Sequence, residues 1–375
     1  MTRRFRQVAG ITLLGLAMRL WGALAQPMDY DEPFYLGAGL DYARLMRDGR
    51  WADIPRYTLN MEHPAFFKLV YGAAIASLGP VPEKREVFQG NTFSRPVGLR
   101  YGGTARGISV LFGTLAVLVL ALAHPLAGLA LALHPLGIKY TSQIYLEALP
   151  LLTSLLVARY YLRWREAPPG AARWGALGLS GFFLGMTAAS KFVYCVVGLV
   201  VVAHAVGAAL RQRRGGWWRP LLAWGVLSLA TFLALNPVLW PAPLTLLSRV
   251  LDYHVGFSQG GYVQARAWPV WQPLAWLAMP LGPAENFLYG NSLSTLRLFN
   301  VSLTALALLG LPRLFQRDRF HFVWLVMGLV VVLSWPTKWA QYLLILIVPL
   351  CVSAGHALEA AGEWLERWEE RRVSA

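Results

Sequence analysis

Charged side chains are scarce in this sequence. Only 14% of its 375 residues are Asp, Glu, Lys or Arg, whereas a soluble domain carries about 25%. Hydrophobic residues make up 56%, which is more apolar surface than one aqueous core can bury. This balance excludes an ordinary soluble protein and indicates an integral membrane protein whose apolar surface faces the bilayer.

Cysteine is nearly absent, and acidic residues are few. Cys195 and Cys351 each lie inside an apolar run, which offers neither a disulfide framework nor a thiol metal site. The 19 acidic residues are outnumbered by 34 Lys and Arg, for a formal net charge of +15. Because the basic residues lie between long apolar runs, they favour topology signals over a nucleic-acid surface, and no nucleic-acid partner is expected.

The apolar runs predict an all-α integral membrane protein with about ten transmembrane helices. A spanning helix needs about 20 mainly apolar residues, and two or three of the runs are short by this measure. The predicted spans are 8–26, 104–123, 125–138, 140–162, 174–190, 192–210, 220–235, 293–311, 321–335 and 339–358. Residues 1–375 are interpreted as a single polytopic domain.

The arginine distribution predicts the topology. Arg3, Arg4 and Arg6 place the N-terminus in the cytoplasm, and alternate loops are Arg-rich while the connections between them hold almost none. The protein is then a multi-pass protein of the plasma (inner) membrane with both termini cytoplasmic. Two long segments, 27–103 and 236–292, fall outside. They contain predicted amphipathic interfacial helices at 33–47, 65–78 and 273–279.

A cluster of carboxylates follows the first predicted span. Asp29, Asp31 and Glu32 stand close together in an acid-poor chain. One explanation is a helix start, with Asp31 as the N-cap and Pro33 in the first turn. That explanation accounts for one carboxylate and not for the cluster. Clustered carboxylates can accept a proton or bind a divalent cation, so the segment is a candidate catalytic site.

Further polar residues fall on the same predicted membrane face. They are Glu62, His63, Lys68, Arg106, Glu147, Lys191, Lys338 and Tyr342. Taken singly, each Lys or Arg fits an interfacial anchor, whereas a carboxylate within an apolar segment indicates function by its cost. Together, acidic, basic and aromatic groups on one face suit a substrate with a phosphate head and a lipid tail.

The order of these motifs resembles that of the C-type superfamily of polytopic membrane glycosyltransferases. The nearest families are glycosyltransferase family 39, the protein O-mannosyltransferases, and the lipid A aminoarabinose transferases. The similar pieces, spread over residues 1–358, are Asp31-Glu32 after the first helix, Glu62-His63-Pro64 with Lys68, Glu147, the stretch from Gly185 to Lys191, Asn236-Pro237, and Lys338 with Tyr342 and Pro349. The chain departs from the families at Gln341, where they commonly have Arg, and at His254, whose surroundings match only loosely.

The resemblance implies a fold, a reaction and a set of roles. The enzyme would move a sugar from a polyprenyl-phosphate (dolichyl-phosphate-like) donor to a hydroxyl of a protein, lipid or glycan acceptor on the extracytoplasmic face, by one inverting displacement. Asp31 is implied as the catalytic base, with Glu32 and Glu147 as orienting or cation-binding partners. The implied substrate-binding residues are Glu62, His63 and Tyr342, with Lys68, Arg106, Lys191 and Lys338 at the donor phosphate.

Two points stay open at this stage. No cofactor is certain, and a divalent cation held by Asp31 and Glu147 is an alternative that the sequence does not decide. The competing function is a transporter or flippase of lipid-linked sugars, which should show repeats and polar residues near mid-membrane. The sequence shows no repeat, and its candidate residues lie at helix ends. A structural membrane subunit without chemistry is disfavoured by the carboxylate cluster.

Overall fold

The computed structural model describes residues 3–90, 92–212, 216, 218–278 and 297–373. Its α-helices are α1 (Arg3–Ala25), α2 (Glu32–Arg47), α3 (Phe66–Ala76), α4 (Lys84–Val87), α5 (Val97–Ala123), α6 (Pro125–Leu133), α7 (Pro135–Tyr140), α8 (Ala148–Glu166), α9 (Ala171–Ser190), α10 (Val196–Gln212), α11 (Trp218–Leu235), α12 (Pro243–Gln259), α13 (Gly261–Gln264), α14 (Gln272–Ala278), α15 (Arg297–Arg317), α16 (Arg319–Ser334) and α17 (Leu344–Val373). Short 3-10 helices lie at Trp51–Arg56, Phe192–Cys195, Pro237–Leu239 and Ala340–Leu343. Strands β1 (Phe88–Gln89) and β2 (Thr92–Phe93) form one small antiparallel hairpin.

The prediction of an all-helical, multi-pass membrane protein is confirmed. Among the described residues, five helical stretches are long and apolar enough to cross a membrane by length and composition: Arg3–Ala25, Val97–Ala123, Phe192–Arg211, Trp218–Leu235 and Ala340–Arg372. Helices cover the other predicted spans too, but these are shorter or more polar. Residues 279–296 lie outside the described residues. They include Met279 of the third amphipathic helix and residues 293–296 of one predicted span.

The predicted spans 125–138 and 140–162 are wrong in their boundaries. Helix α6 ends at Leu133 and α7 at Tyr140, and α8 begins only at Ala148. Pro135 explains the first break, because proline lacks an N–H and holds the residue before it in an extended conformation. Residues 141–147 are irregular and buried inside the protein, which is where non-helical backbone is tolerated at membrane depth. Glu147 therefore precedes a helix and does not lie within one.

The core is a bundle in which α1 packs against α5 and α6, α8 against α9, and α15 against α17. Gly310 permits the last of these contacts, because a Cβ at this position would lie 1.8 Å from the carbonyl oxygen of Ser353. Small residues at such crossings let helix backbones approach closely in membranes. The bundle holds the connection between α1 and α2 and the irregular segment 141–147 at one of its ends.

Two of the predicted amphipathic helices form a pair over that end. Helices α2 and α3 pack against each other, and the glycines that allow this are Gly39, against Tyr71, and Gly72, against Tyr42. The Tyr71 hydroxyl is 2.8 Å from Oγ of Ser109 and donates to the carbonyl of Tyr145 at 2.6 Å. These bonds tie α3 to α5 and to the irregular segment 141–147.

Candidate active site

The carboxylate cluster lies in the connection between α1 and α2, and its members have different partners. Asp29 forms a buried ion pair with Lys139 of α7, with 2.7 Å between Oδ2 and Nζ. Glu32 forms another with Arg106 of α5, with 2.6 Å between Oε2 and Nη2. The carboxylate of Asp31 has no hydrogen bond or ion pair within the described part of the chain.

Glu32 is fully engaged in holding this connection. Its Oε1 accepts from Arg106 Nε and from the Ile144 backbone N–H, both at 2.8 Å. Its Oε2 accepts from Arg106 Nη2 at 2.6 Å and from the Asp29 backbone N–H at 2.8 Å. The side chain is 0% exposed. Of the two roles predicted for Glu32, this arrangement supports the orienting one, because four donors already use its lone pairs.

Arg106 is engaged to the same extent. Besides Glu32, its Nη1 donates to the carbonyls of Ala23 and Gln26, at 2.6 and 2.9 Å, and its Nη2 to Pro27 at 3.0 Å. These carbonyls lie at or just after the C-terminal end of α1. A guanidinium has five N–H donors, and with the two bonds to Glu32 all five are used. The predicted contact of Arg106 with a donor phosphate is therefore not available in this structure, and the residue closes the end of α1 instead.

Asp31 is the N-cap residue of α2, yet its side chain makes no capping hydrogen bond. The helix-start explanation therefore does not account for its carboxylate. Burial raises the pKa of Asp31 to about 6, the charge of Asp29 adds to the rise, and Lys191 and Lys139 oppose it. A half-buried carboxylate with a pKa near neutrality and no internal partner has the properties of a general base.

A second charged pair faces Asp31. Glu147, which is 0% exposed, forms an ion pair with Lys191 at the end of α9. The Lys191 ammonium also lies 5.7 Å from the ring centre of Tyr342. Asp31 is within electrostatic reach of Lys191, and Tyr342 within reach of both carboxylates. The structure thus brings together four residues that the sequence placed far apart.

The other two predicted phosphate cations bind backbone carbonyls. Lys68 Nζ donates to the carbonyls of Asn60 and His63, at 2.5 and 2.9 Å, and to the Asn60 side chain at 3.2 Å. Lys338 Nζ donates to the carbonyls of Val332 and Leu333, at 3.2 and 2.7 Å, and to Trp335. Lys338 thereby closes the C-terminal end of α16. Of the four predicted cations, only Lys191 faces Asp31.

Glu62 and His63 lie where the two long segments meet. Glu62 Oε1 accepts from Asn60 Nδ2 at 2.5 Å, and its carbonyl is 3.1 Å from Nε2 of His254. Burial, together with the charges of Lys191 and Lys68, lowers the pKa of His63, so its ring is neutral. His254 of α12, which the sequence left without a role, therefore joins the second segment to the first.

The predicted cation site at Asp31 and Glu147 is incomplete. Among the described residues, no set of three His, Cys, Asp or Glu ligand atoms converges around Asp31. Glu147 Oε2 is buried without a hydrogen-bond partner in the described chain, so this atom is free to bind. A divalent cation here would need additional oxygen ligands from substrate or water.

Sequence reasoning missed two charged residues of this region. Lys139, the partner of Asp29, interrupts an apolar run, and such a lysine is a recognisable signal of function. Arg266 stacks on two rings, with its guanidinium 4.0 Å from the centre of Tyr262 and 5.2 Å from that of Trp339. It is exposed, and no pattern in the sequence separates it from Arg249, the other arginine of the second segment.

Comparison with known proteins gives solved structures only. No protein-family model and no curated protein matches this sequence. ArnT from Cupriavidus metallidurans bound to undecaprenyl phosphate superposes with a TM-score of 0.56 at 19% identity, over 93% of this chain and 60% of that one. The archaeal oligosaccharyltransferase AglB from Archaeoglobus fulgidus, in complex with an inhibitory peptide and a dolichol-phosphate, gives 0.59 at 11% identity, over 99% and 52%.

The chain has the fold of the C-type polytopic glycosyltransferases. It spans a little over half the length of these two C-type enzymes. The Saccharomyces cerevisiae protein O-mannosyltransferase Pmt1-Pmt2 complex matches with a TM-score of 0.49, over 67% of this chain and 34% of that one, which does not single out family 39. The expected superfamily fold is confirmed, and membership of one family within it stays a prediction.

Proposed function

We propose that this C-type fold carries a glycosyltransferase that moves a sugar from a polyprenyl-phosphate donor to an acceptor hydroxyl. One observation carries the proposal. Of the three clustered carboxylates, two are fixed by buried ion pairs, and the third, Asp31, is left without an internal partner and with a pKa of about 6. A frame that holds one unpartnered carboxylate is what base catalysis on a hydroxyl requires.

The reaction is a single displacement. The acceptor O–H donates to Asp31, which takes the proton as the acceptor oxygen forms a bond to the anomeric carbon. The bond from that carbon to the phosphate oxygen breaks on the opposite face, and its electron pair leaves with the polyprenyl phosphate. The geometry follows the logic of an inverting glycosidase, with the acceptor in place of water. Base catalysis contributes about 10²–10⁴-fold, and positioning contributes more.

Arg266 and Lys191 are the cations that we assign to the donor phosphate. Arg266 is exposed and stacks on Tyr262 and on Trp339, which directly precedes the 3-10 helix Ala340–Leu343. Lys191 lies beside Tyr342 of that 3-10 helix. A stacked guanidinium is suited to bidentate contact with phosphate. The undecaprenyl phosphate and dolichol-phosphate in the two similar structures support a lipid-phosphate donor.

The function is tested by a transfer assay with the purified chain in lipid nanodiscs. Polyprenyl-phosphate sugars carrying labelled hexoses or pentoses are offered with a mixture of membrane glycan, lipid and peptide acceptors. Labelled product together with free polyprenyl phosphate is expected for at least one donor. If the labelled donor crosses the membrane of a proteoliposome without any loss of its sugar, the chain is a flippase and the proposal fails.

The pH dependence of transfer reports the base. Because Asp31 must be deprotonated and has a pKa of about 6, kcat/KM should rise about tenfold per pH unit below pH 6 and level off above it. Lys191 lowers this pKa, so Lys191→Gln should move the acidic limb of the profile to higher pH. Lys84→Gln, at a half-buried pair with Asp41 in another part of the structure, is the control and should leave the limb in place. An unmoved limb in Lys191→Gln contradicts this arrangement.

We propose that the Asp31 end of the bundle is extracytoplasmic and that both termini are cytoplasmic, on the arginine distribution. Single cysteines are placed at the exposed positions Thr92, Gly256 and Ala171 of a chain whose two native cysteines are replaced. A membrane-impermeant maleimide added to intact cells should label Thr92→Cys and Gly256→Cys and spare Ala171→Cys. Labelling of Ala171→Cys alone would invert the proposed topology.

A further inference from the structure

A second group of ionisable side chains lies far from the candidate active site. His124 forms the turn between α5 and α6, and it meets His356 and Glu359 of α17. At a rise of about 1.5 Å per residue, His124 lies about 27 Å along α5 from Arg106. The group therefore belongs to the opposite end of the bundle and takes no part in the chemistry around Asp31.

The three side chains converge on one point. His124 Nε2 is 3.4 Å from Glu359 Oε1, and His356 Nδ1 is 3.2 Å from Glu359 Oε2. The two imidazole rings have their centres 5.0 Å apart at 78°. One ligand atom from each residue lies within 4.8 Å of the other two. Two histidines and one glutamate are a ligand set that zinc accepts, with a fourth position left for water.

Two of the ring nitrogens make no hydrogen bond among the described residues. The Nε2 atoms of His124 and His356 are both buried, and neither has a hydrogen-bond partner in the described part of the chain. His356 as a whole is only 9% exposed. Buried polar atoms are nearly always satisfied, and two neighbouring unsatisfied imidazole nitrogens beside a carboxylate point to an ion between them.

The local packing is built to bring the ligands together. Gly355 precedes His356 on α17, and a Cβ there would lie 2.7 Å from Cε1 of the His124 ring. Only glycine lets the helix come this close. His356 and Glu359 are three residues apart, so they share one face of α17. His124 Nδ1 accepts a long bond of 3.3 Å from the Ala127 N–H, which ligation through Nε2 would give up.

We propose that His124, His356 and Glu359 bind one divalent transition-metal ion of the zinc type, which joins the α5–α6 turn to α17. Ligands at about 2.0–2.1 Å from a tetrahedral ion lie about 3.3 Å apart, so the three ligand atoms, now within 4.8 Å of one another, would move closer together when the ion binds. The two linked elements are 232 residues apart in the chain (His124 to His356), and the metal would fasten them at the end of the bundle that the ion pairs of the active site do not reach.

The test compares metal content between variants. The full chain is purified in detergent with a tag free of histidine, stripped with a chelator, loaded with ZnSO₄ and separated from free metal. Zinc per chain is then measured by mass spectrometry, and the thermal midpoint of unfolding is recorded with and without zinc. The wild-type chain is expected to retain one more equivalent of zinc than His356→Gln, and only the wild type should gain thermal stability from zinc through this site.

Two further variants make the test decisive. Glu359 is the most exposed of the three ligands, so Glu359→Gln should fold even where His356→Gln does not, and it should lose the same equivalent. His204→Gln replaces a histidine that bonds to Tyr161 and should keep the full zinc content. Equal zinc in the wild type and Glu359→Gln, or no zinc retained by the wild type, would overturn the assignment.

Discussion

The Asp31→Asn variant should lose turnover by about 100-fold or more while it folds normally and still binds the lipid donor. Asparagine preserves the shape of the side chain but cannot accept the proton of an attacking hydroxyl. The carboxylate that it replaces makes no capping bond and no ion pair among the described residues, so little folding free energy depends on its charge. Single-turnover transfer and equilibrium donor binding, measured on the same preparation, separate the two effects.

Asp48→Asn is the matched control for this experiment. Asp48 stands at the other end of the same helix, α2, and is exposed. The identical chemical change there should leave transfer unaltered within a factor of about two, as surface substitutions usually do. Near-normal turnover by Asp31→Asn would show that the carboxylate is not the base, whatever the fold of the chain.

Arg106→Met should lower the free energy of unfolding by about 3–5 kcal/mol, because it leaves the fully buried Glu32 charge without its partner. It also removes the donors for the carbonyls of Ala23, Gln26 and Pro27 at the end of α1. A loss of this size is expected to appear as a fall in the thermal midpoint and as rapid proteolysis between α1 and α2. Glu32→Gln should be harmful as well, since it strands the Arg106 charge.

A double-mutant cycle measures the interaction between Glu32 and Arg106 separately from their contacts with other groups. Combining Arg106→Met with Glu32→Gln removes both buried charges, so the double variant should be less destabilised than the sum of the two single changes. The matched control is the exposed pair Arg50–Asp53, where Arg50→Met should cost about 1 kcal/mol or less. Additive effects at Glu32 and Arg106 would mean that the two side chains do not act on each other.

Many of the helices could be predicted because a membrane-spanning helix requires a long run of apolar residues, which is visible in the local sequence. Apolar length predicted α1, α5, α10 and α11 closely, and helical spacing of apolar residues predicted α2 to within a residue. The irregular segment 141–147 was missed because the long apolar run that follows it dominates a span-length window, although Thr141, Ser142, Gln143 and Glu147 are polar. Its backbone is satisfied by tertiary partners such as Glu32, and these cannot be read from local composition.

The structure brings four of the predicted site residues together, but the sequence did not reveal the partners of the predicted cations. The sequence shows that a lysine or arginine is charged, but not which acceptors surround it. Arg106 and Glu32 are separated by 74 residues, and Lys191 and Glu147 by 44, so both pairings depend on the folded bundle. The same lack of tertiary information hid the stacking of Arg266 on Trp339.

The three buried ion pairs around Asp31 also determine how the protein should respond to ionic strength. Their side chains are at most 6% exposed, and dissolved salt screens such buried pairs only weakly. The buried ion pairs that hold Asp31 in place are therefore little affected by dissolved salt. The exposed guanidinium of Arg266 is screened, so its attraction for an anionic head group falls as salt is added. Salt should thus raise KM for the donor and leave kcat almost unchanged, so that capture of the substrate responds to the medium and the chemical step does not.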